Sequence, residues 1–283
     1  MFSKKDIVRY YDLSEIHYRL HWNLDKSRSL HYGYWDASTK NFHEALLNIN
    51  KKIAGHAGIT STDTALDAGC GVGGSAIWMA KNIGCKVTGI SLSERQITLA
   101  TASAKKENID HLVTFLQKDY TATGFADASF DVIWAIESVC YVKDKSEFLK
   151  EAFRILKKGG RLVVIDIFRK QEMDSKDADQ MQRLSHGWAI EEHSTWEQFE
   201  EELIETGFSN IKTEDASQAI MPSVKRLYRA YFLGIIPSRI YRLFHPKVTA
   251  LAKNNVDTAY LQYKTLKKHL WKYLIVSAEK GLS

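Results

Sequence analysis

From Thr62 to Phe168 short apolar runs alternate with longer amphipathic stretches, and this alternation organises the chain. Unbroken apolar runs read as strands buried on both faces, whereas apolar positions about three or four residues apart read as helices packed along one side. Thr64 to Asp67 is the first such strand; glycines at 69, 71 and 73 follow, then a helical pattern from Ser75 to Lys81 stopped by Gly84. Lys86 to Ile90 is the second strand, and Ser93 with Gln96 opens the next helix as a capping box. Val113 to Gln117 and Phe130 to Ile136 are the third and fourth, the latter ending at Glu137. A helix with Asp144 and Glu147 as capping box and Gly159–Gly160 as stop leads to the fifth strand, Arg161 to Phe168. Such alternation predicts a doubly wound α/β sheet with right-handed crossovers and a ligand crevice at the carboxyl ends of the strands. Asp67, Ser91, Asp119 and Glu137 all stand at such ends.

Outside this core the pattern loosens. Residues 1–60 read as a helical, aromatic-rich cap, and 62–168 as the ligand-binding core. Residues 169–254 read as cap insertions around a sixth strand, Ser209 to Glu214, preceded by a helix capped by Ser194 with Glu197. Residues 255–283 hold a last helix and strand, Trp271 to Ala278. With no repeat, low-complexity segment or linker, the chain reads as one domain with insertions. Within it, residues 222–247 are aromatic and basic. They read either as an amphipathic cap over a substrate pocket, as a peripheral membrane contact, or as arginines gripping a phosphorylated substrate.

Composition narrows the class. A hydrophobic content of 45% in 283 residues is enough for a buried core. Three scattered cysteines, Cys70, Cys85 and Cys140, make neither a disulfide frame nor a zinc site and fit a reducing, cytoplasmic compartment. No signal-peptide pattern or bilayer-length apolar run stands out. The net charge of +5 comes from bases interspersed with acids, which argues against a nucleic-acid groove. His17 and His21 lie four apart on a predicted helix, but no third ligand follows at sensible spacing, so no metal is expected.

The sharpest chemical signal is Ala65-Leu66-Asp67-Ala68-Gly69-Cys70-Gly71-Val72-Gly73-Gly74-Ser75, a strand running into a glycine turn and a helix. Glycines let backbone approach a ligand closely, and the helix start offers free N–H groups. The spacing differs from the dinucleotide fingerprint. It resembles motif I of the class I methyltransferases that use S-adenosylmethionine (SAM). The resemblance implies a Rossmann-like sheet of seven strands, six parallel and the last antiparallel beside the sixth, and SAM as cofactor with S-adenosylhomocysteine (SAH) as product. Gly89-Ile90-Ser91-Leu92-Ser93-Glu94-Arg95-Gln96 is similar to a segment of cyclopropane fatty acid synthases, tocopherol methyltransferases and prenyl diphosphate C-methyltransferases. Ser91 stands there in place of the acidic residue most class I members carry. By this resemblance Tyr11, Asp67, Gly69, Cys70, Gly71, Ser91, Leu92, Gln96, Asp119, Tyr120 and Ala135 hold the cofactor, with Asp119 accepting from the adenine amino group.

The acceptor is less well marked. Glu137-Ser138-Val139-Cys140-Tyr141-Val142 lacks the histidine that related O-methyltransferases often place there, and is similar to the matching segment of sterol and geranyl diphosphate C-methyltransferases. Methylating an alkene creates a cation, which asks for π faces, a carboxylate and then a base. Glu137, Tyr141 and Tyr32 are therefore the catalytic candidates. Glu137 reads equally as a buried carboxylate hydrogen-bonded to nearby backbone. Leu30-His31-Tyr32-Gly33-Tyr34-Trp35-Asp36 reads as a cover for the methionine end of SAM and a lining for the substrate mouth, with at least one of its aromatics an ordinary core residue. The favoured acceptor is an isoprenoid or sterol-like carbon. The alternatives are an oxygen or nitrogen of a natural product, quinol or amine, and a noncatalytic SAM-binding protein. The partner is a small molecule, and the oligomeric state is open.

Overall fold

The computed structural model describes residues 2–12, 24–244 and 250–282. The helical pair His17 and His21 lies outside the described residues, as do residues 245–247 of the aromatic–basic segment.

Seven strands form one sheet: β1 (Thr64–Ala68), β2 (Lys86–Ser91), β3 (Val113–Gln117), β4 (Phe130–Ile136), β5 (Leu156–Arg169), β6 (Phe208–Asp215) and β7 (Trp271–Lys280). Their order is β3-β2-β1-β4-β5-β7-β6. The first five pair in parallel, and β7 runs antiparallel between β5 and β6, as the resemblance implied. The strand order reverses at β1 and β4, which opens the crevice where a doubly wound sheet binds its ligand.

Alternation along β5 explains how one strand serves two cores. Val163, Ile165 and Ile167 join a cluster with Ile49, Ile53 and Trp134, whereas Leu162, Val164 and Phe168 join one with Phe148, Leu149 and Phe199. Helices cover both faces: α3 (Phe42–Ala57) and α4 (Gly74–Ile83) contribute to the first cluster, α6 (Lys145–Ile155) and α8 (Trp196–Thr206) to the second. β6 closes one edge with mostly polar, exposed positions, which discourages pairing with other chains.

Local chemistry sets most boundaries, with three departures from the expected ones. α6 ends at Ile155, short of Gly159–Gly160, because β5 begins at Leu156. The glycines fall inside the strand, where the pairing jumps from Phe130↔Leu156 to Val132↔Arg161 and Gly159 takes a φ of 72° to absorb the extra residues. α8 is capped by Thr195 with Gln198, one residue beyond the expected Ser194 and Glu197. In α5 (Glu94–Lys106) the Ser93 side chain does accept the Gln96 N–H, but the Gln96 side chain turns to Ser91 instead of completing the box.

The N-terminal segment and the late helices close over the carboxyl ends. α1 spans residues 4–12, and the extended stretch after α2 (Leu24–Ser27) runs across the mouth of the crevice. α7 (Ser175–Gly187) follows β5, and α9 (Ser217–Phe244) and α10 (Ala250–Lys267) separate β6 from β7. Ile220 and Val224 of α9 are buried in the first cluster, so α9 caps that core where the aromatic–basic segment begins. Ser223 fastens that cap to the N-terminal aromatic run, taking the Gly33 N–H at 3.2 Å and the Trp35 indole N–H at 3.0 Å while donating to the Gly33 carbonyl at 3.1 Å.

Candidate active site

A cavity of about 830 Å³, counting its open mouth, sits at the carboxyl ends of β1, β2 and β4 beneath α1. The glycine turn forms its floor. Gly69 has a φ of 94°, and a Cβ there would lie 2.5 Å from the Ser138 Cβ, so only glycine lets the turns after β1 and β4 meet. Gly74 opens α4, and a Cβ on it would lie 2.1 Å from the Arg28 carbonyl oxygen. That close approach brings Arg28 and Ser29 onto the cavity wall beside the start of α4. No side chain caps α4 at Gly73, which leaves its first N–H groups for the cavity.

Asp67 lies at the end of β1, buried, and its Oδ2 has no hydrogen-bond partner among the described residues. Burial pushes its pKa up to about 7, against the opposing pull of the Trp134 side chain and the Ala76 backbone. A buried carboxyl oxygen without a partner beside a glycine cradle suits a ligand that brings a positive charge or a donor. At the end of β2, Ser91 Oγ donates to Gln96 Oε1 at 2.7 Å, so these two cavity residues hold each other in place.

Glu137 follows β4 with a φ of 45°, a left-handed conformation that costs a non-glycine residue about 1 kcal/mol or more. Its Oε1 accepts the Tyr32 N–H at 2.8 Å and the Tyr273 hydroxyl at 2.7 Å. Burial pushes its pKa up to about 8, despite these two bonds, and the nearby Asp166 adds to the rise. Tyr141 reaches the same cavity from the turn after β4, its hydroxyl 3.1 Å from that of Tyr11 on α1.

The sequence-derived site residues therefore divide. Tyr11, Asp67, Gly69, Cys70, Gly71, Ser91, Leu92, Gln96, Tyr120, Glu137 and Tyr141 all line the cavity. Three stand elsewhere. Tyr32 is a core residue, stacked on Trp271, edge-on to Tyr273 and bonded to Gln262. Ala135 is buried within β4. Asp119 spends its carboxylate on the Thr121 N–H and hydroxyl and on Lys4. Sequence reasoning missed Ile7 and Val8 of α1 and Arg28 and Ser29, whereas Leu30 and His31 of the expected cover do line the cavity. His31 is buried and kept neutral, its pKa held down to about 4 by burial, with Nδ1 2.8 Å from the Tyr32 carbonyl. His31 was visible in the aromatic run; apart from Tyr11, the contribution of α1 had no motif to mark it.

The chain matches the family model described as a methyltransferase domain over residues 66–164, the stretch that builds the cradle and β4. It is 34% identical to the 27-O-demethylrifamycin SV methyltransferase of Amycolatopsis mediterranei (strain S699) over 195 residues, 69% of this chain and 72% of that protein. It is 26% identical to the S-adenosyl-L-methionine-dependent Diels-Alderase iccD of Talaromyces variabilis over 98% of this chain and 96% of that one. Its fold superposes with a TM-score of 0.77 on geranyl diphosphate methyltransferase solved with GPP and sinefungin, at 21% identity, covering 98% of each chain. With the cradle, the strand order and these likenesses together, the chain belongs to the class I SAM-dependent methyltransferases that act on small molecules. It is a SAM-dependent methyltransferase, and SAM is its cofactor.

Proposed function

We propose that this enzyme methylates an oxygen of a small natural product, with Glu137 taking the proton the acceptor loses. The observation that carries this reading is the arrangement of Glu137. Both of its hydrogen bonds converge on Oε1, leaving Oε2 for a proton, and the group lines the cavity. Once ionised, a carboxyl whose pKa burial raises to about 8 is a stronger base than an ordinary carboxylate, so the ionised fraction present near neutral pH suits accepting a hydroxyl proton. The O-methyltransferase relative from Amycolatopsis, at 34% identity, supports oxygen over the isoprenoid or sterol carbon favoured by the motifs alone.

When bound, SAM supplies a methyl group on a positively charged sulfur, already activated for direct displacement. We assign its binding to Asp67, Gly69, Cys70 and Gly71 of the cradle, to Ser91, Leu92 and Gln96 after β2, and to Tyr120 and Tyr11. The partnerless Asp67 oxygen and the Cβ-free turn fit it. Asp119 and Ala135 are left out, the first engaged elsewhere and the second inside its strand. The chain's own task is to orient the acceptor and exclude water, for which α1 and the Arg28–His31 stretch form the roof. Tyr32 serves by holding Glu137 through its backbone.

The test supplies SAM with a labelled methyl to the full chain together with polyketide, phenol, prenyl diphosphate, sterol and amine pools. Label is expected on an oxygen. Glu137→Gln is expected to cut turnover by about a hundredfold or more while SAH affinity by calorimetry stays unchanged. Label confined to a carbon or nitrogen, or an unlabelled isomer as sole product, overturns the acceptor. Full activity in Glu137→Gln overturns the base.

A further inference from the structure

The turn between β4 and α6 is gripped from several sides. Tyr120 donates its hydroxyl to the Ser138 carbonyl at 2.7 Å, and Ser138 Oγ donates to the Ala68 carbonyl at 2.7 Å. Deeper in, two charged side chains hold one residue, Cys140, by its backbone N–H and its carbonyl, which belong to successive peptide units. Asp166 Oδ2 accepts the Cys140 N–H at 2.8 Å, while Lys145 Nζ donates to the Cys140 carbonyl at 3.1 Å and to that of Val142.

These are expensive residues for the purpose. Asp166 is 3% exposed and Lys145 4%, and burying a carboxylate and an ammonium costs several kcal/mol each before compensation. Lys145 is moreover the first residue of α6, where the helix dipole disfavours a cation. No neutral pair could do the same work. Asp166 uses both oxygens, Oδ1 for the Ile167 N–H at 2.8 Å and Oδ2 for Cys140, so an amide would set its NH₂ group against one of those donors. Lys145 supplies two donors to two carbonyls that would otherwise lose these bonds.

The residue next to the clamped Cys140 is Tyr141, whose own N–H shares a peptide unit with the Cys140 carbonyl. Its hydroxyl lies 3.1 Å from that of Tyr11, and the two rings meet edge-on with centroids 5.8 Å apart. Tyr11, with Ile7 and Val8, is how α1 roofs the cavity. We propose that Asp166 and Lys145 are positioning residues: by fixing the backbone N–H and the carbonyl of Cys140 they set Tyr141 against Tyr11 and so hold α1 over the cofactor. The proposal rests on the functional reading above only in taking the cavity as the cofactor site, and the identity of the acceptor does not enter.

Hydrogen exchange on the full chain saturated with SAH tests it, and calorimetry with SAH on the unaltered chain reports on the cofactor site separately. Residues 4–12 are expected to exchange about tenfold faster in Asp166→Asn, Lys145→Met and Tyr141→Phe, while β4 and β5 keep their protection. Asp166→Asn combined with Tyr141→Phe is expected to be no faster than Tyr141→Phe alone, since both act through one contact. Unchanged protection of 4–12, additive acceleration, or a uniform loss across the sheet overturns the proposal. Tyr11→Phe removes the hydroxyl contact to Tyr141 and leaves the clamp intact, so it decides the matter even where the buried-charge variants fail to fold. It must loosen 4–12 as Tyr141→Phe does, and tight protection there sinks the idea.

Discussion

Glu137 Oε1 accepts the Tyr273 hydroxyl at 2.7 Å from β7, two strands away across β5, and so ties the end of β4 to the strand inserted last. The bond is made by a carboxyl that prefers to be neutral. Burial raises the pKa of Glu137 from an ordinary 4.5 to about 8, so between those values the folded chain keeps a proton that the unfolded chain releases. The stability that goes with this proton is complete below the unfolded value and is lost as pH rises through about 8. Glu137→Gln keeps an oxygen for Tyr273 and Tyr32 and never ionises. Thermal melts are expected to coincide with the unaltered chain at pH 4 and to run a few degrees higher for the variant at pH 9. A variant that melts lower at pH 9 would show the carboxylate to be well accommodated.

Asp67 gives the cofactor site a proton linkage of its own. With its pKa raised to about 7 by burial, the free chain at pH 6.5 holds much of Asp67 as the acid. An ammonium such as the one SAH carries favours the ionised form, so binding is expected to release a fraction of a proton and to weaken as pH falls below about 7. Calorimetry in buffers of different ionisation enthalpy measures that release directly. In Asp67→Asn it is expected to vanish, with affinity reduced about tenfold or more. Release that persists in the variant would assign the proton to another group.

Gly74→Ala tests whether the N-terminal segment is part of the binding surface or only lies on it. A methyl at Gly74 meets the Arg28 carbonyl at 2.1 Å, a backbone atom that cannot swing aside. The stretch from Arg28 to His31 has to lift as a unit, at about 1–3 kcal/mol. Reduced SAH affinity with an unchanged far-ultraviolet circular dichroism spectrum is the expected pair of results. Unaltered affinity would show that this stretch contributes nothing to cofactor binding.

The sheet was legible because its strands are short, apolar and punctuated. Asp67, Ser91 and Glu137 could be placed from sequence because the end of a parallel strand faces the crevice whatever surrounds it. Boundaries went astray where two readings of one residue compete. Gly159–Gly160 looks like a helix stop, yet it serves as a bulge in β5, because pairing with β4 across the sheet outweighs a local signal. The roof was legible only in part: Tyr11 and the start of the Leu30–Asp36 run were expected over the cofactor, and Tyr11, Leu30 and His31 do line the cavity. Ile7, Val8 and Arg28 reach the cavity through contacts distant in sequence, and no periodicity encodes which loop crosses which strand end. Asp119 holds its expected strand-end position but stands outside the cavity lining, where Lys4 of α1 pairs with its carboxylate.

Tyr32 carries the remaining lesson, since its motif pointed to the substrate mouth and its ring points to the core. The side chain is 4% exposed, stacked on Trp271 and edge-on to Tyr273, with its hydroxyl bonded to Gln262 of α10. Its backbone N–H serves Glu137 whatever the side chain is, so that bond should survive substitution. Tyr32→Phe keeps the aromatic packing and removes only the bond to Gln262, at about 1 kcal/mol. Tyr32→Ala opens a large hole between β7 and α10, at about 3–5 kcal/mol. Melting temperature is therefore expected to fall slightly for phenylalanine and steeply for alanine. In Tyr32→Phe, SAH affinity and turnover should both stay within about twofold of the unaltered chain, since only a core hydrogen bond is gone. A selective collapse of turnover in the well-folded phenylalanine variant would put the Tyr32 hydroxyl back in the chemistry.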